Sequence, residues 1–170
     1  MITVHRMRGD DAAAAQWQDI FDAISAPEES RQGDNRCRQV FDAMLHLHRG
    51  DHGAAVAAVR DDLATFRTWS EGAWVQWYAA FQAEAYVLAG LPDAAAQVAR
   101  MQEVVVDNAV ASAIVDRAAA VLAGDPAAVL ATAQRFARAG CPYQQARSLQ
   151  LAGDPGAAAA MAELGATYVP

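Results

Sequence analysis

The chain contains no lysine: all 13 of its basic residues are arginine, set against 20 aspartates and glutamates, for a formal net charge of −7. Phosphate neutralisation supplies most of the affinity of nucleic-acid binders, so this balance argues against direct nucleic-acid binding by the chain. Without lysine there can be no phosphate-binding glycine-rich loop closed by Lys-Ser/Thr. Only two cysteines occur, Cys37 and Cys141, far apart and without metal-ligand spacing, and both read as reduced, packed thiols. No stretch approaches the roughly 18 charge-free apolar residues of a membrane span. The opening Met1-Ile2-Thr3-Val4-His5-Arg6 lacks the long apolar core of a signal peptide. The expectation is a cytoplasmic chain with no membrane partner. Aromatic residues make up 8% of the sequence, so large core side chains are few: Trp17, Phe21, Phe41, Phe66, Trp69, Trp74, Trp77, Tyr78, Phe81 and Phe136. No alternating apolar pattern demands a sheet, and Val104-Val105-Val106, the one run with strand propensity, is embedded in helical periodicity.

What the chain has is alanine and regular punctuation. Alanine is the strongest helix former and lets helices approach closely. Five times an apolar helical stretch ends in a short phrase that opens into an alanine-rich one. The phrases are Arg8-Gly9-Asp10, Arg49-Gly50-Asp51, Ala89-Gly90-Leu91-Pro92, Ala123-Gly124-Asp125-Pro126 and Ala152-Gly153-Asp154-Pro155. Glycine closes a helix in the left-handed conformation, aspartate caps the next one, and proline suits its first turn. Each phrase is therefore a tight helix–helix corner. The corner glycines are spaced by 41, 40, 34 and 29 residues, near the periods of helical-hairpin repeats but drifting. Five residues after each stands a small residue, Ala14, Ala55, Ala95, Val129 or Ala158, expected to let the second helix of a hairpin pack on the first.

These corners predict one all-α domain over residues 1–170, a right-handed superhelix of about ten helices in antiparallel hairpins, about 1–25, 34–69, 71–107, 108–139 and 142–165. The map places a short helix ending near Arg8, a partner from Asp11 to Ile24, and a loop over 25–33. Helices follow from Asp34 to Arg49 and from Asp51 to about Trp69, the latter carrying Val56, Val59, Leu63 and Phe66. Ser70 and Glu71 cap the next, which reaches Ala89. Further helices run from Pro92 to about Val106, then to Ala123, and over 126–139, 142–152 and 155–164. The first helix is short for a solenoid terminus and leaves Ile2, Val4 and Met7 without an evident cover. The expectation is a fragment of a longer polypeptide, or an N-terminal hairpin that pairs Ile2, Val4, Met7 and Trp17 with a second copy as a homodimer.

From Arg117 onward the order becomes specific. Ala-Ala-Val-Leu-Ala-Gly-Asp-Pro is followed by Phe136-Ala-Arg-Ala-Gly140-Cys-Pro142-Tyr143-Gln-Gln-Ala146-Arg147-Ser-Leu149, Leu-Ala-Gly153-Asp and Leu164-Gly165-Ala166. This resembles the end of the helical-repeat sensor region of large ATP-dependent LuxR-type transcription regulators related to the maltose regulator. In that family a G-x-P-Y-x-x-A-R helix and a terminal L-G-A precede the linker to a helix-turn-helix. Earlier repeats are similar more loosely; Ala83, Tyr86 and Gly90 fit a tetratricopeptide first helix. The family's phosphate loop and its helix-turn-helix are both absent from these 170 residues. What the resemblance implies is the intermediate region of such a regulator, a non-catalytic module that receives an inducer or partner protein. The alternative is a free-standing tetratricopeptide-like scaffold for protein assembly.

No Ser-His-Asp, Cys-His or paired-carboxylate arrangement is legible, so no enzyme activity, cofactor or catalytic residue is expected. His46, His48 and His52 with Asp51 straddle a corner, and Gly50 interrupts the helix that would align them, so no metal site is expected there. Asp61-Asp62 and Glu28-Glu29 read as solvated faces. Trp69 adjoins an aromatic cluster in which Trp74, Trp77, Tyr78 and Phe81 share a helical face. That face is either central core or an anchor surface opening into a concave groove. In the tetratricopeptide register Trp77, Glu84 and Val87 face the groove, Met44 and His48 come from the preceding hairpin, and Arg147 from the last. A peptide, partner protein or small inducer is the expected occupant.

Overall fold

The computed structural model describes residues 1–24, 32–66 and 69–167. Among them are ten α-helices and no strand. They are α1 (Ile2–Met7), α2 (Asp11–Ile24), α3 (Gln32–His48), α4 (His52–Ala58), α5 (Trp69–Leu88), α6 (Ala94–Val104), α7 (Ala109–Leu122), α8 (Pro126–Arg138), α9 (Pro142–Leu151) and α10 (Ala157–Glu163). Most of the loop expected over 25–33 lies outside the described residues, as do the side chains of Trp69, Ser70 and Glu71. No helix of the described residues is long and apolar enough to cross a membrane.

The corner phrases do what their chemistry requires. Gly9, Gly50, Gly90, Gly124 and Gly153 all have φ between +64° and +73°, a conformation in which a Cβ would clash with the following carbonyl. At each, the next N–H reaches back across the turn to a helical carbonyl, as from Asp125 to Ala120 at 3.0 Å and from Asp154 to Leu149 at 2.9 Å. Asp10, Asp51 and Asp125 then cap the following helices through backbone N–H groups of Ala13, Ala54 and Ala128. Gly140 and Gly165 close two further helices in the same way.

Consecutive helices pack as hairpins, α1 on α2, α3 on α4, α5 on α6, α7 on α8 and α9 on α10, and the leading helices α1, α3, α5 and α7 also pack side by side. Helix α5 is the centre. Tyr78, Ala79, Ala80, Phe81, Ala83 and Ala85 are all buried around it, which is how a helix apolar on every face must sit. The small residues behave as expected at three corners, where Ala14, Ala55 and Val129 are buried. At the other two the buried residues are Ala94 and Ala157, one position earlier, while Ala95 and Ala158 face outward. Those corners carry an extra turn before the helix, so the inward register moves by one.

One helix is shorter than its periodicity suggests. The stretch from Asp51 does not stay helical to Trp69; α4 stops at Ala58 and, among the described residues that follow it up to 66, only Leu63–Thr65 coils again, as a 3-10 turn. Side chains of α5 capture the backbone that a helix would have used internally. Gln82 Nε2 donates to the Val59 carbonyl at 2.6 Å, and the Asp61 N–H donates to the Tyr78 hydroxyl at 3.0 Å. Arg36 pairs with Asp61 from α3 and lies over the Phe66 ring at 4.4 Å. Val59 is fully buried, and Leu63 and Phe66 still pack on the core. The apolar spacing served burial without needing a continuous helix.

Candidate functional site

Three of the six residues expected in an open groove meet in the interior. Glu84, on the core helix α5, is 1% exposed and receives Arg117 Nη2 at 2.6 Å and Arg147 Nε at 2.7 Å. Arg147 projects from α9 and also donates through Nη1 to the Leu47 carbonyl of α3 at 2.9 Å. Arg117, from α7, donates to the Gln144 side chain at 2.7 Å, the Gln144 carbonyl at 3.1 Å and the Ser148 hydroxyl at 3.2 Å. Its guanidinium carbon lies 5.1 Å from the centre of the Phe136 ring, and its Nε has no hydrogen-bond partner. Two guanidiniums therefore share one carboxylate in a buried interior, where charges need such partners to persist.

Burial alone pushes Glu84 up, but the two guanidiniums outweigh it and hold the carboxyl below its usual range. Arg147 moves up despite its burial because Glu84 and Tyr143 favour its charge. Arg117 moves down, since burial of a second guanidinium outweighs the attraction of a carboxylate it has to share.

His48 lies beside this cluster and is also buried. Its Nδ1 is 3.3 Å from the Tyr143 hydroxyl and its Nε2 is 3.3 Å from Thr167 Oγ1. Thr167 Oγ1 donates to the Met7 carbonyl at 3.0 Å, so it accepts from Nε2–H, and Nδ1 accepts from Tyr143. That pattern is a neutral imidazole. Burial and the Arg147 guanidinium both hold His48 below its ordinary pKa of 6.5. Burial likewise pushes Tyr143 up to about 12.

Thr167 also joins the ends of the described chain. Its N–H donates to the Met7 carbonyl at 2.8 Å, satisfying a group at the end of α1 that has no partner within its own helix. Met7, expected to lack a cover, is buried. Val4 and Trp17 remain 40% exposed, and Ile2 is half-buried.

The remaining expected groove residues divide. Val87 is buried in the core cluster. Trp77 is half-buried and packs against the same cluster, as does Trp74, whose ring meets Phe41 edge-on at 5.9 Å. Met44 lines open space, and it does so twice. A cavity of about 350 Å³ lies between α1, α2 and α3, bordered by Ile2, Val4, Phe21, Phe41 and Met44. A second, of about 390 Å³, lies between α1 and the C-terminal hairpin, bordered by Val4, Met7, Met44, Pro142, Tyr143 and Leu164. Val4 and Met44 form the saddle shared by both. Both volumes fall within the range of small-molecule pockets.

Sequence reasoning found Met44 but missed Phe21, Phe41 and Arg6, which lie beside it in the first cavity. The available signal was the surplus of large apolar residues on α2, whose Trp17, Ile20 and Phe21 follow helical spacing yet stay exposed. Arg117 was legible in principle as an arginine among Ile114, Val115 and Ala118, an apolar setting that asks for a buried partner. Among the described residues no three His, Cys, Asp or Glu side chains gather as a metal would require. No protein-family model, curated protein or solved structure matches the chain.

Proposed function

We propose that the chain is a non-catalytic binding module, the sensor or interaction region of a bacterial transcription regulator of the LuxR type related to the maltose regulator. The observation that carries the binding role is the pair of adjoining apolar cavities on either side of α1. The regulator assignment rests on the order of residues from Arg117 to Ala166. Within it Tyr143 and Arg147 seat α9 against α3 and α5 through His48, Leu47 and Glu84, an architectural use of the motif. Because Glu84 and Arg147 bind each other and His48 is held by Tyr143 and Thr167, the reading places the inducer or partner at the Val4–Met44 saddle rather than along the Trp77 face.

The test is a thermal-shift screen of small molecules and peptides against the parent chain and Met44→Glu. A ligand of the module raises the parent Tm by mass action and loses that effect in the variant. If no compound gives a shift that depends on Met44, the saddle is not the binding site.

A second reading, a free-standing scaffold for protein assembly, is favoured by one feature. Trp17, Ile20 and Phe21 form an outward stripe on α2, each at least 40% exposed, as interaction surfaces often do. A second copy pairing through this hairpin would give a concentration-dependent mass in light scattering, which Trp17→Ser and Ile20→Ser would abolish. A parent mass unchanged with concentration removes the dimer.

A further inference from the structure

Helix α1 brings one arginine to each of the two apolar cavities, Arg6 to the first and Arg8 to the second. Most other described arginines are committed: Arg36 to Asp61, Arg38 to Asp42, Arg100 to Asp62, Arg135 to Asp116, and Arg117 and Arg147 to Glu84. Among the described residues Arg6 and Arg8 have no carboxylate partner. In a chain of net charge −7, unpaired guanidiniums at the edges of apolar hollows are unusual placements, because an acidic side chain could have met them at little cost.

The first cavity holds the clearer arrangement. Its walls include Phe21, Phe41, Val4 and Met44; its charged side chains are Arg6, Arg38 and Asp42, and Met1, which carries the chain's α-amino group, borders it as well. Arg38 Nε and Asp42 stand 3.5 Å apart and offset each other. Arg6 is the side-chain charge left over, half-buried and beside apolar walls. A ligand complementary to this space is apolar along most of its length and anionic at one end. Val4 and Met44 also border the second cavity, whose walls add Met7, Pro142 and Leu164.

Given the binding-module reading above, whose ligand class it narrows, we propose that the first cavity takes a free single-chain amphiphile with a carboxylate head. Its carboxylate meets Arg6 and its chain lies against Phe21, Phe41 and the Val4–Met44 saddle. Arg6 supplies a charge-assisted hydrogen bond, which in a partly desolvated place is worth more than a neutral one. The apolar walls supply affinity and little selectivity, so Arg6 sets the preference for an anionic head.

The test is calorimetric titration of the full chain with dodecanoate below its micellar concentration, with dodecanol as the uncharged comparison. Dodecanoate should bind saturably with one-to-one stoichiometry and at least about tenfold more tightly than dodecanol. Arg6→Gln should weaken dodecanoate about tenfold while leaving dodecanol within about twofold, and Arg6→Lys should restore most of the loss. The Arg6 side chain has no ion-pair partner among the described residues, so circular dichroism and Tm should match the parent in both variants. Equal affinity for the two ligands, or an unchanged dodecanoate affinity in Arg6→Gln, overturns the anionic class. No saturable binding of either ligand overturns the amphiphile altogether, as does occlusion of the cavity by a second copy. A Met44-dependent ligand of another kind in the thermal-shift screen would still leave the binding-module reading intact.

Discussion

Replacing Glu84 by Gln keeps the shape of the side chain and removes the one negative charge that two buried guanidiniums share. Arg117 Nη2 and Arg147 Nε approach its two oxygens at 2.6 and 2.7 Å, and the three side chains are at most 3% exposed. The amide could accept from one guanidinium, but its NH2 would face the other, donor against donor. Removing one partner of a buried ion pair costs about 3–5 kcal/mol, because the remaining charge stays buried without compensation. For a domain of this size each kcal/mol lowers Tm by about 2–4 °C, so Glu84→Gln should melt about 6–20 °C below the parent. Urea unfolding with linear extrapolation measures the loss directly, and an unchanged slope shows that the same surface is exposed on unfolding. Arg147→Met should cost less, since it removes the surplus cation, leaves Arg117 and Glu84 one to one, and gives up the bond to the Leu47 carbonyl. A Glu84→Gln variant within about 1 kcal/mol of the parent would refute the shared-carboxylate account, since the loss expected is several times larger.

Because burial and Arg147 hold His48 below 6.5, its neutral form belongs to the fold and the unfolded chain binds the proton more readily. Stability should therefore fall as the pH drops below about 6.5, and His48→Gln should flatten that slope in urea titrations run at successive pH values. Glu84 is also held below the usual range for its class, so its contribution is present above the ordinary carboxylate range and is lost only at lower pH, separable from the histidine step. Trp77→Ala should destabilise by about 3–5 kcal/mol in chemical unfolding, because the ring packs on the core cluster; a near-parental Tm would return this residue to the groove. Asp125→Ala should lose about 1 kcal/mol in the same assay through the cap on Ala128, and an unchanged midpoint would count against the corner as drawn.

The corners were legible because glycine, aspartate and proline act through local backbone chemistry that no distant contact has to complete. Gly124-Asp125-Pro126 shows this plainly: a left-handed glycine, a capping carboxylate and a proline in the first turn all appear where the letters put them. The end of α4 was not legible, because Tyr78 and Gln82 stop it from a helix some twenty residues away. The polar residues of the candidate groove were picked for facing the same side of the stacked helices. His48 and Glu84 do share a side, but α9 folds over it and brings Arg147 onto Glu84, and nothing in their local sequence announces that closure. Arg6 was overlooked for a related reason. An unpaired surface arginine looks ordinary in sequence, and only the adjoining cavity makes its lack of a partner informative.

The five methionines offer the most direct check on the claim that ligands enter beside α1. Met1, Met7 and Met44 border the two cavities, whereas Met101 and Met161 are buried elsewhere in the core. In a spectrum of the 13C-labelled methionine methyls, a ligand from the thermal-shift screen should move Met44 most, with Met1 or Met7 following according to the cavity it fills. Met101 and Met161 should stay in place. Shifts confined to Met101 or Met161, or a bound ligand that leaves Met44 unmoved, would contradict the account.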